Sequence, residues 1–224
     1  MLQNEINNMK TYLFIIIFLF SATLCAQKKN RDSNRIGISF GFNHFNLKAN
    51  NFETKPGNGF QGGLSVRGNF YDDFDMVFGM QFSEFKFTTE TKEFLTTKIQ
   101  TVEYKLHSVQ IVLLPSYKIV ENHLSVEAGP AFQLNDKFKF NNDFENNTLV
   151  SNPSLTVKDI AEISKFNFNF AVGFTAGVRH FRLHLEHQFG INNMLSKLND
   201  QDLINKQNFK GTAGISSASF IFYL

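Results

Sequence analysis

The chain has 224 residues, of which 42% are hydrophobic and 19% charged, a composition that excludes both a disordered tail and a bundle of apolar helices. Its 22 basic and 20 acidic side chains leave a net charge of +2, which gives no electrostatic footprint for nucleic acid. Phe is unusually abundant, with 28 residues beside 5 Tyr and no Trp. So much Phe needs either a very large core or an apolar environment outside the protein.

A secretory signal peptide is predicted over residues 1–26. The apolar run of residues 12–20 follows Lys10 and is closed by small residues, and it is too short for the ~20 residues of a spanning helix. Cleavage is expected after Ala26, with an uncleaved membrane anchor as the alternative. Because the first eight residues contain no cation, Met9 is the better natural start.

Residues 27–34 are predicted to be a periplasmic spacer in front of a barrel domain at residues 35–224. Cys25 is the only cysteine, and Leu24 does not suit the small residue that lipoprotein modification requires before it. If Cys25 leaves with the signal peptide, the mature chain has no disulfide and no Cys-bearing zinc site. We therefore expect an exported protein without a cofactor.

From residue 35 onward, hydrophobic residues alternate with small or polar ones at a period of two. In residues 166–178, Phe and Val occupy one face, whereas Asn, Gly and Thr occupy most of the other. Successive side chains of a strand point to opposite faces, so such segments form strands with one apolar face. Eight strands are predicted, at residues 35–47, 59–70, 74–88, 102–117, 123–137, 165–178, 180–193 and 209–224. Several reach the ~9–11 residues that a strand needs to cross a membrane.

The connections between these strands alternate in length. Four are long, at residues 48–58, 90–101, 138–164 and 194–208. Three are short turns, at residues 71–73, at residues 118–122 and near Arg179. This rhythm is typical of outer-membrane barrels, which have short periplasmic turns and longer outer loops. We predict an all-β fold: a single closed, antiparallel, up-and-down transmembrane β-barrel of about eight strands.

The alternative is a soluble barrel, whose large apolar residues would point inward. Here the second faces of the strands collect Gly, Ser and ionisable residues together, as in Gly63, Ser65 and Arg67. A narrow lumen accepts such small and polar groups, whereas lipid accepts a continuous wall of Phe, Leu and Val. Four features of the sequence indicate an outer-membrane barrel with a polar lumen: its composition, the period of two, the alternating loop lengths and the signal peptide.

Four stretches resemble the PorT-like outer-membrane β-barrel family of the Bacteroidetes. They are "RIGISFGFNHFNL" in the first strand, "YKLHSVQIVLLPSYKI" in the fourth, "LSVEAGPAF" in the fifth and "LHLEHQFGINNM" in the seventh. The resemblance covers residues 35–224 and implies an eight-stranded membrane barrel without an assigned reaction. Its namesake is linked to a secretion and gliding apparatus.

A set of polar side chains is predicted to fill the lumen as a structural plug. An eight-stranded barrel is just wide enough to be filled by side chains, and opposite charges inside it would pair. The set comprises Arg67, Gln110, His123, Glu127, Arg182, His184 and Glu186. Whether Arg67 or Arg182 reaches Glu127 stays open at this point, and the alternative to a plug is a gate or a proton-linked pore.

Metal binding and catalysis are both weak hypotheses. His180 and His184 share a face but lie ~13 Å apart at a rise of ~3.3 Å per residue, which is too far to chelate one ion within the strand. His123, Ser125 and Glu127 share a face, as a hydrolase site would require, but nothing raises this above chance pairing in a polar lumen. We therefore expect neither a metal site nor catalytic residues.

The sequence favours a non-enzymatic outer-membrane protein with a role in surface interaction or envelope integrity. The alternatives are an accessory part of a secretion or gliding machine and a barrel enzyme acting on lipid or peptide. The expected partners are outer-membrane lipid, the barrel-assembly machinery and an envelope protein bound at the outer loops, without nucleic acid.

Overall fold

The computed structural model describes residues 34–93, 96, 98–201 and 208–224. The predicted signal peptide and nearly all of the predicted spacer lie outside these residues. The strands are β1 (Arg35–Ala49), β2 (Lys55–Tyr71), β3 (Phe74–Lys92), β4 (Ile99–Val120), β5 (Leu124–Asn135), β6 (Thr148–Leu149), β7 (Phe166–Gly177), β8 (Phe181–Gly190) and β9 (Gly211–Tyr223). No helix among the described residues is long and apolar enough to cross a membrane.

Eight of these strands form a closed antiparallel ring. Each pairs with its neighbour in the chain, with β5 pairing directly with β7, and β1 closes the ring by pairing with β9 from Gly37↔Tyr223 to Ala49↔Gly211. The two-residue strand β6 lies outside the ring and pairs with the end of β3. The predicted up-and-down barrel of eight strands is confirmed.

Tight turns join the strands at the end that we call periplasmic. Residues 72–73 connect β2 to β3, and residues 121–123 connect β4 to β5. Asp72 and Asn122 have positive φ angles of 32° and 60°. Asp and Asn are the non-glycine residues that accept this left-handed conformation most readily, which explains their place in these turns.

The strands extend further at the opposite, outer end than the sequence predicted. β3 and β4 have 19 and 22 residues, about twice what a membrane crossing requires. The first two outer loops are correspondingly short, at residues 50–54 and 93–98, although the sequence predicted long loops there. The third, at residues 136–165, contains two short 3-10 helices and β6.

The outer faces of β3 and β4 mark where the membrane ends. Going outward, the outward-facing side chains of β3 change from the exposed Phe78 and Phe82 to the half-buried Glu84 and Lys86. In β4 the same change falls between Val109 and His107, which pair with Phe82 and Glu84 respectively. Apolar side chains face lipid and charged ones face water, so the outer edge of the apolar band lies at this pair of rows.

The interior changes polarity at the same level, from mostly polar inside the membrane, where Val77, Val112 and Leu114 form a small apolar cluster, to apolar above it. Two inward side chains of β3 within the membrane are Gln81 and Ser83, and the next two outward are Phe85 and Phe87, both buried. The prediction of a wholly polar lumen is therefore wrong for the outer end. There the surroundings are water, so the ordinary rule of apolar inside and polar outside returns.

The outer core is the name we give to the buried apolar cluster at this end. Phe87 stacks on Tyr104 at 4.9 Å between ring centroids and meets Phe138 edge-on at 4.9 Å. The third and fourth outer loops supply a large part of the cluster and so close the barrel. Members of the cluster from these loops are Phe138, Leu149, Leu155, Val157, Ile160, Ile163, Met194, Leu195, Leu198 and Phe209.

Candidate functional site

The polar lumen inside the membrane is the candidate site, and strand parity places its side chains there. Residues of odd number point inward in β2 and β5, which puts Arg67 and Glu127 in the lumen. Residues of even number point inward in β8, which adds Arg182, His184 and Glu186. All five are buried, as is the predicted Gln110 of β4.

Arg67 pairs with Glu127 at the centre of the periplasmic half of the lumen. Each residue is 2% exposed, and Arg67 Nη2 donates a short hydrogen bond to Glu127 Oε1. Arg67 Nη1 also contacts Asp75 Oδ2 at 3.3 Å and donates to Ser116 Oγ at 2.9 Å. The question left open by the sequence is therefore answered: Arg67 reaches Glu127.

The second carboxylate oxygen of Glu127 faces His184. His184 Nε2 lies 3.2 Å from Glu127 Oε2 and 3.9 Å from Glu186 Oε2, so the imidazole lies between two carboxylates. Thr175 donates to Glu127 at 2.8 Å from β7. One carboxylate thus joins side chains from most of the strands around it, as a structural plug requires.

A ring of four amide side chains lies on the outer side of this charged cluster. Gln110 Nε2 donates to Gln133 Oε1 and to Gln188 Oε1, both at 3.0 Å. Asn169 Nδ2 donates to the same two oxygens at 2.9 and 3.1 Å. Gln188 Nε2 then donates to Glu186 Oε1 at 2.7 Å, which links the amide ring to the charged cluster.

Two predicted residues do not join this cluster. Arg182 is buried near the periplasmic mouth, where its Nη2 donates to the carbonyl of Asn122 at 3.0 Å. His123 was predicted in the lumen, but it is exposed in the turn before β5 and contacts the carbonyl of Glu121 at 2.8 Å. β5 begins only at Leu124, so parity does not apply to His123.

Two lumen residues were not predicted from the sequence, although the alternation of inward and outward residues along each strand could have identified them. Asp75 contacts Arg67 and also lies 3.8 Å from Lys118. Tyr223 is fully buried, and its hydroxyl lies 3.2 Å from Ser65 Oγ. Both residues occupy inward positions of predicted strands, so the strand pattern already contained them.

The space left in this part of the lumen is very small. An enclosed cavity of about 20 Å³ lies beside Arg67, Glu127 and His184. Such a volume holds about one water molecule and no solute. Within the described residues, no three His, Cys, Asp or Glu side chains are arranged to hold a metal ion.

A closed eight-stranded barrel with a lipid-facing apolar band and a polar interior defines an outer-membrane β-barrel protein. The family described as "Outer membrane protein beta-barrel domain" matches residues 25–196. The chain therefore belongs to this outer-membrane family. No curated protein is significantly similar to the chain.

Several solved outer-membrane proteins have a similar fold. The attachment invasion locus protein Ail of Yersinia pestis, in complex with a heparin analogue, is 14% identical with a TM-score of 0.48, over 85% of this chain and 99% of Ail. Neisserial surface protein A is 11% identical with a TM-score of 0.49, over 84% and 96%. OprG of Pseudomonas aeruginosa is 12% identical with a TM-score of 0.47, over 86% and 97%. At these identities the similarity concerns the fold alone.

Proposed function

We propose that this protein is a non-enzymatic component of the outer membrane, closed to solutes, that acts in surface interaction or envelope integrity. The observation that carries the proposal is the double closure of the barrel. The cluster of Arg67 and Glu127 fills the periplasmic half of the lumen, and the outer core fills the other end. A pore or gate would need a continuous wet path, and the buried side chains that pack in both halves of the described lumen support the closed form.

The proposed working surface is the outer one. The third outer loop, at residues 136–165, and the described residues 191–201 and 208–210 of the fourth are anchored by buried apolar side chains in the outer core, so they present a fixed surface to the outside. Barrels commonly carry their specificity in such loops. An envelope protein bound there, together with outer-membrane lipid and the barrel-assembly machinery, makes up the proposed set of partners.

The finer placement in the PorT-like branch of the Bacteroidetes is also a proposal and rests on the four quoted strand motifs. Because the namesake of that branch is linked to a secretion and gliding apparatus, this placement makes an accessory role in such a machine the second candidate function. Export with cleavage of the signal peptide after Ala26 belongs to the same proposal. Stable co-purification of other envelope proteins from detergent-solubilised outer membrane would favour the accessory role.

The enzyme alternative is disfavoured by the described residues that the sequence offered for it, because Ser125 is not paired with a base there. Ser125 is 1% exposed, and its hydroxyl donates to Glu127 at 3.4 Å. His184 Nε2 lies against Glu127 and Glu186, and His123 is outside the lumen. A buried hydroxyl that donates to a carboxylate is a structural hydrogen bond, which supports the non-enzymatic proposal.

The closed barrel is tested by conductance in planar lipid bilayers. We expect the purified protein to show no steady conductance, because both halves of the lumen are filled. Glu127→Gln should stay closed in the same assay, since Gln fills the same volume. Steady, ion-selective conductance of the wild type that Glu127→Gln alters would contradict the proposal and indicate a small channel.

A further inference from the structure

Three lysines form a row on the outer wall of the barrel, just above the apolar band. Lys86 of β3 is directly opposite Lys105 of β4, and Lys105 is directly opposite Lys139 of the third outer loop. Lys105 and Lys139 exchange two backbone hydrogen bonds of 2.8 Å. Like charges directly opposite each other on one face destabilise a sheet, and carboxylates near the row offset part of that cost.

Below the lysine row, at the level of lipid, is an apolar groove. Its volume is about 530 Å³, and its apolar walls are Phe60, Phe82, Val109 and Leu134. The upper end of this groove carries Glu84, His107 and Asp136. The groove thus offers apolar contacts to the part of an acyl chain next to its headgroup, with hydrogen-bonding groups where the chain would meet that headgroup.

Above the groove, and on the other side of the lysine row, is a cleft of about 400 Å³. Lys105, Lys139 and Glu103 line it together with the half-buried rings of Phe140 and Phe144. Groove, lysine row and cleft follow one another outward along the same part of the wall. A single amphiphilic molecule in the outer leaflet could therefore contact all three.

The carboxylates near the row lie along the strands rather than between the lysines. Lys86 pairs with Glu84 at 3.1 Å, Lys105 with Glu103 at 3.6 Å and Lys139 with Asp136 at 3.1 Å. His107 contacts Glu84 at 3.3 Å and Lys139 at 3.4 Å. The backbone N–H of Lys137 and the ammonium of Lys139 lower the pKa of Asp136, so this carboxylate stays an ionised acceptor.

The order of acceptors and donors from lipid to water determines which kind of lipid headgroup can bind here. Carboxylate acceptors at Glu84 and Asp136 come first, and the ammonium donors of the lysine row follow. A phosphatidylcholine headgroup has the opposite order, because its phosphate is next to the chains and its ammonium would meet the lysines. Hydroxyl groups next to the chains, followed by a phosphate further out, match the observed order.

We propose that this part of the wall binds a phosphorylated glycolipid of the outer leaflet. The acyl chain lies in the apolar groove, sugar hydroxyls donate to Glu84 and Asp136, and a phosphate accepts from the lysine row. The site is distinct from the lumen, so it adds a ligand to the proposed role in the envelope.

Native mass spectrometry of the detergent-solubilised full chain tests this with three probes: bis-phosphorylated lipid A, phosphatidylglycerol and phosphatidylcholine. We expect wild type to retain lipid A at least about tenfold more tightly than the other two lipids. The variant K86Q/K105Q/K139Q should lose at least about tenfold in lipid A affinity, since each lysine near a membrane surface contributes measurably to anion binding. The control K48Q/K55Q/K158Q removes the same charge from other positions at the outer end, namely the ends of β1 and β2 and the third outer loop, and should bind as wild type does.

The groove is tested separately with Val109→Trp, which fills it, and with Ile119→Trp as a matched control near the periplasmic end of the same strand. We expect only Val109→Trp to weaken lipid A binding, with both variants keeping the heat-modifiable gel mobility of a folded barrel. Equal binding of lipid A and phosphatidylcholine, preference for phosphatidylglycerol, or equal loss in the two lysine variants would overturn the proposal.

Discussion

Arg67 contacts side chains from four other strands, and this makes it the central residue of the plug. Its guanidinium meets Asp75 from β3, Ser116 from β4, Ser125 and Glu127 from β5, and Thr175 from β7. The guanidinium presents five donors in a rigid planar fork, whereas an ammonium has three, so it can serve this many acceptors in fixed directions. Burying a charge is costly, so the arrangement is stable only while its partners are present.

Removing the partner carboxylate alone should therefore be destabilising. We expect Glu127→Gln to lower the free energy of unfolding by ~3 kcal/mol, at the lower end of the range for a broken buried pair, because Asp75 still lies 3.3 Å from Arg67. Combining Glu127→Gln with Arg67→Met should recover most of that loss. Urea unfolding in detergent micelles or vesicles measures both values.

Arg182 provides the control for this cycle. It is buried in the same lumen but donates to the carbonyl of Asn122 and has no described contact with Glu127. Arg182→Met should therefore not rescue Glu127→Gln. Rescue by Arg182→Met that equals rescue by Arg67→Met would mean that the effect reports net charge in the lumen and not a specific pair.

At the level of the strand, one part of β3 faces lipid and the other part faces water, and the pattern of its side chains changes between the two. Within the membrane its outward residues are apolar, and above the membrane they are polar or charged, whereas the inward series changes from Gln81 and Ser83 to Phe85 and Phe87 at the same level. β1 shows the same reversal, with Phe40 and Phe42 facing lipid and Phe45 and Leu47 buried in the outer core. The period of two is constant along each strand, and only the face that carries the apolar residues changes.

The lipid-facing wall makes a quantitative prediction. Val172 lies near the middle of the outward series of β7, which runs from Phe166 to Ala176. Val172→Arg should cost ~2–4 kcal/mol because it places a charge near the bilayer midplane. Thr101→Arg is the matched control, a β-branched residue on the outer face of β4 above the apolar band. It should change stability by no more than about 0.5 kcal/mol. Equal costs in a vesicle unfolding assay would show that the membrane boundary is misplaced.

The outer core makes a second prediction at this scale. Phe87→Ala removes a ring that packs on Tyr104 and Phe138, so we expect a loss of ~3–5 kcal/mol and easier tryptic cleavage in residues 136–165. Phe78→Ala, in the same strand but facing lipid, should leave that cleavage unchanged. If both variants are cleaved alike, the outer core does not hold the loop.

At the scale of the whole molecule, ring closure lets the chain lie in lipid. Every strand of the barrel is paired on both sides, so backbone groups inside the membrane find partners within the protein. The exposed side chains within the band are largely Phe, Leu, Ile and Val, which are stable against lipid and would aggregate in water. The paired backbone and the apolar exposed side chains of this barrel therefore both suit a lipid environment.

This match predicts the behaviour of the isolated protein. It should fractionate with the outer membrane, require detergent for extraction and migrate differently on gels before and after heating, because a closed barrel resists dodecyl sulfate until it is heated. Recovery in the soluble periplasmic fraction at low salt without detergent would contradict a membrane-embedded barrel.

The sequence by itself determined the strands, their number and the face that each turns to lipid. These features depend on local alternation, as in Phe166, Phe168 and Phe170 against Asn167 and Asn169, and alternation is visible without knowing any partner. The candidate site was predictable to the same extent: parity placed Arg67, Glu127 and His184 inside, and only His123 failed, because it precedes its strand.

Only the tertiary structure decided which of these groups meet. Glu127 had two candidate arginines, and the choice depends on the register of five strand pairs around the ring, which no single segment specifies. The outer core also depends on the closed barrel. The strands that extend above the membrane surround an apolar space, and Leu149 and Leu155 of the third outer loop point inward to fill it. Local pattern sets the direction of a side chain, whereas long-range pairing sets its partner.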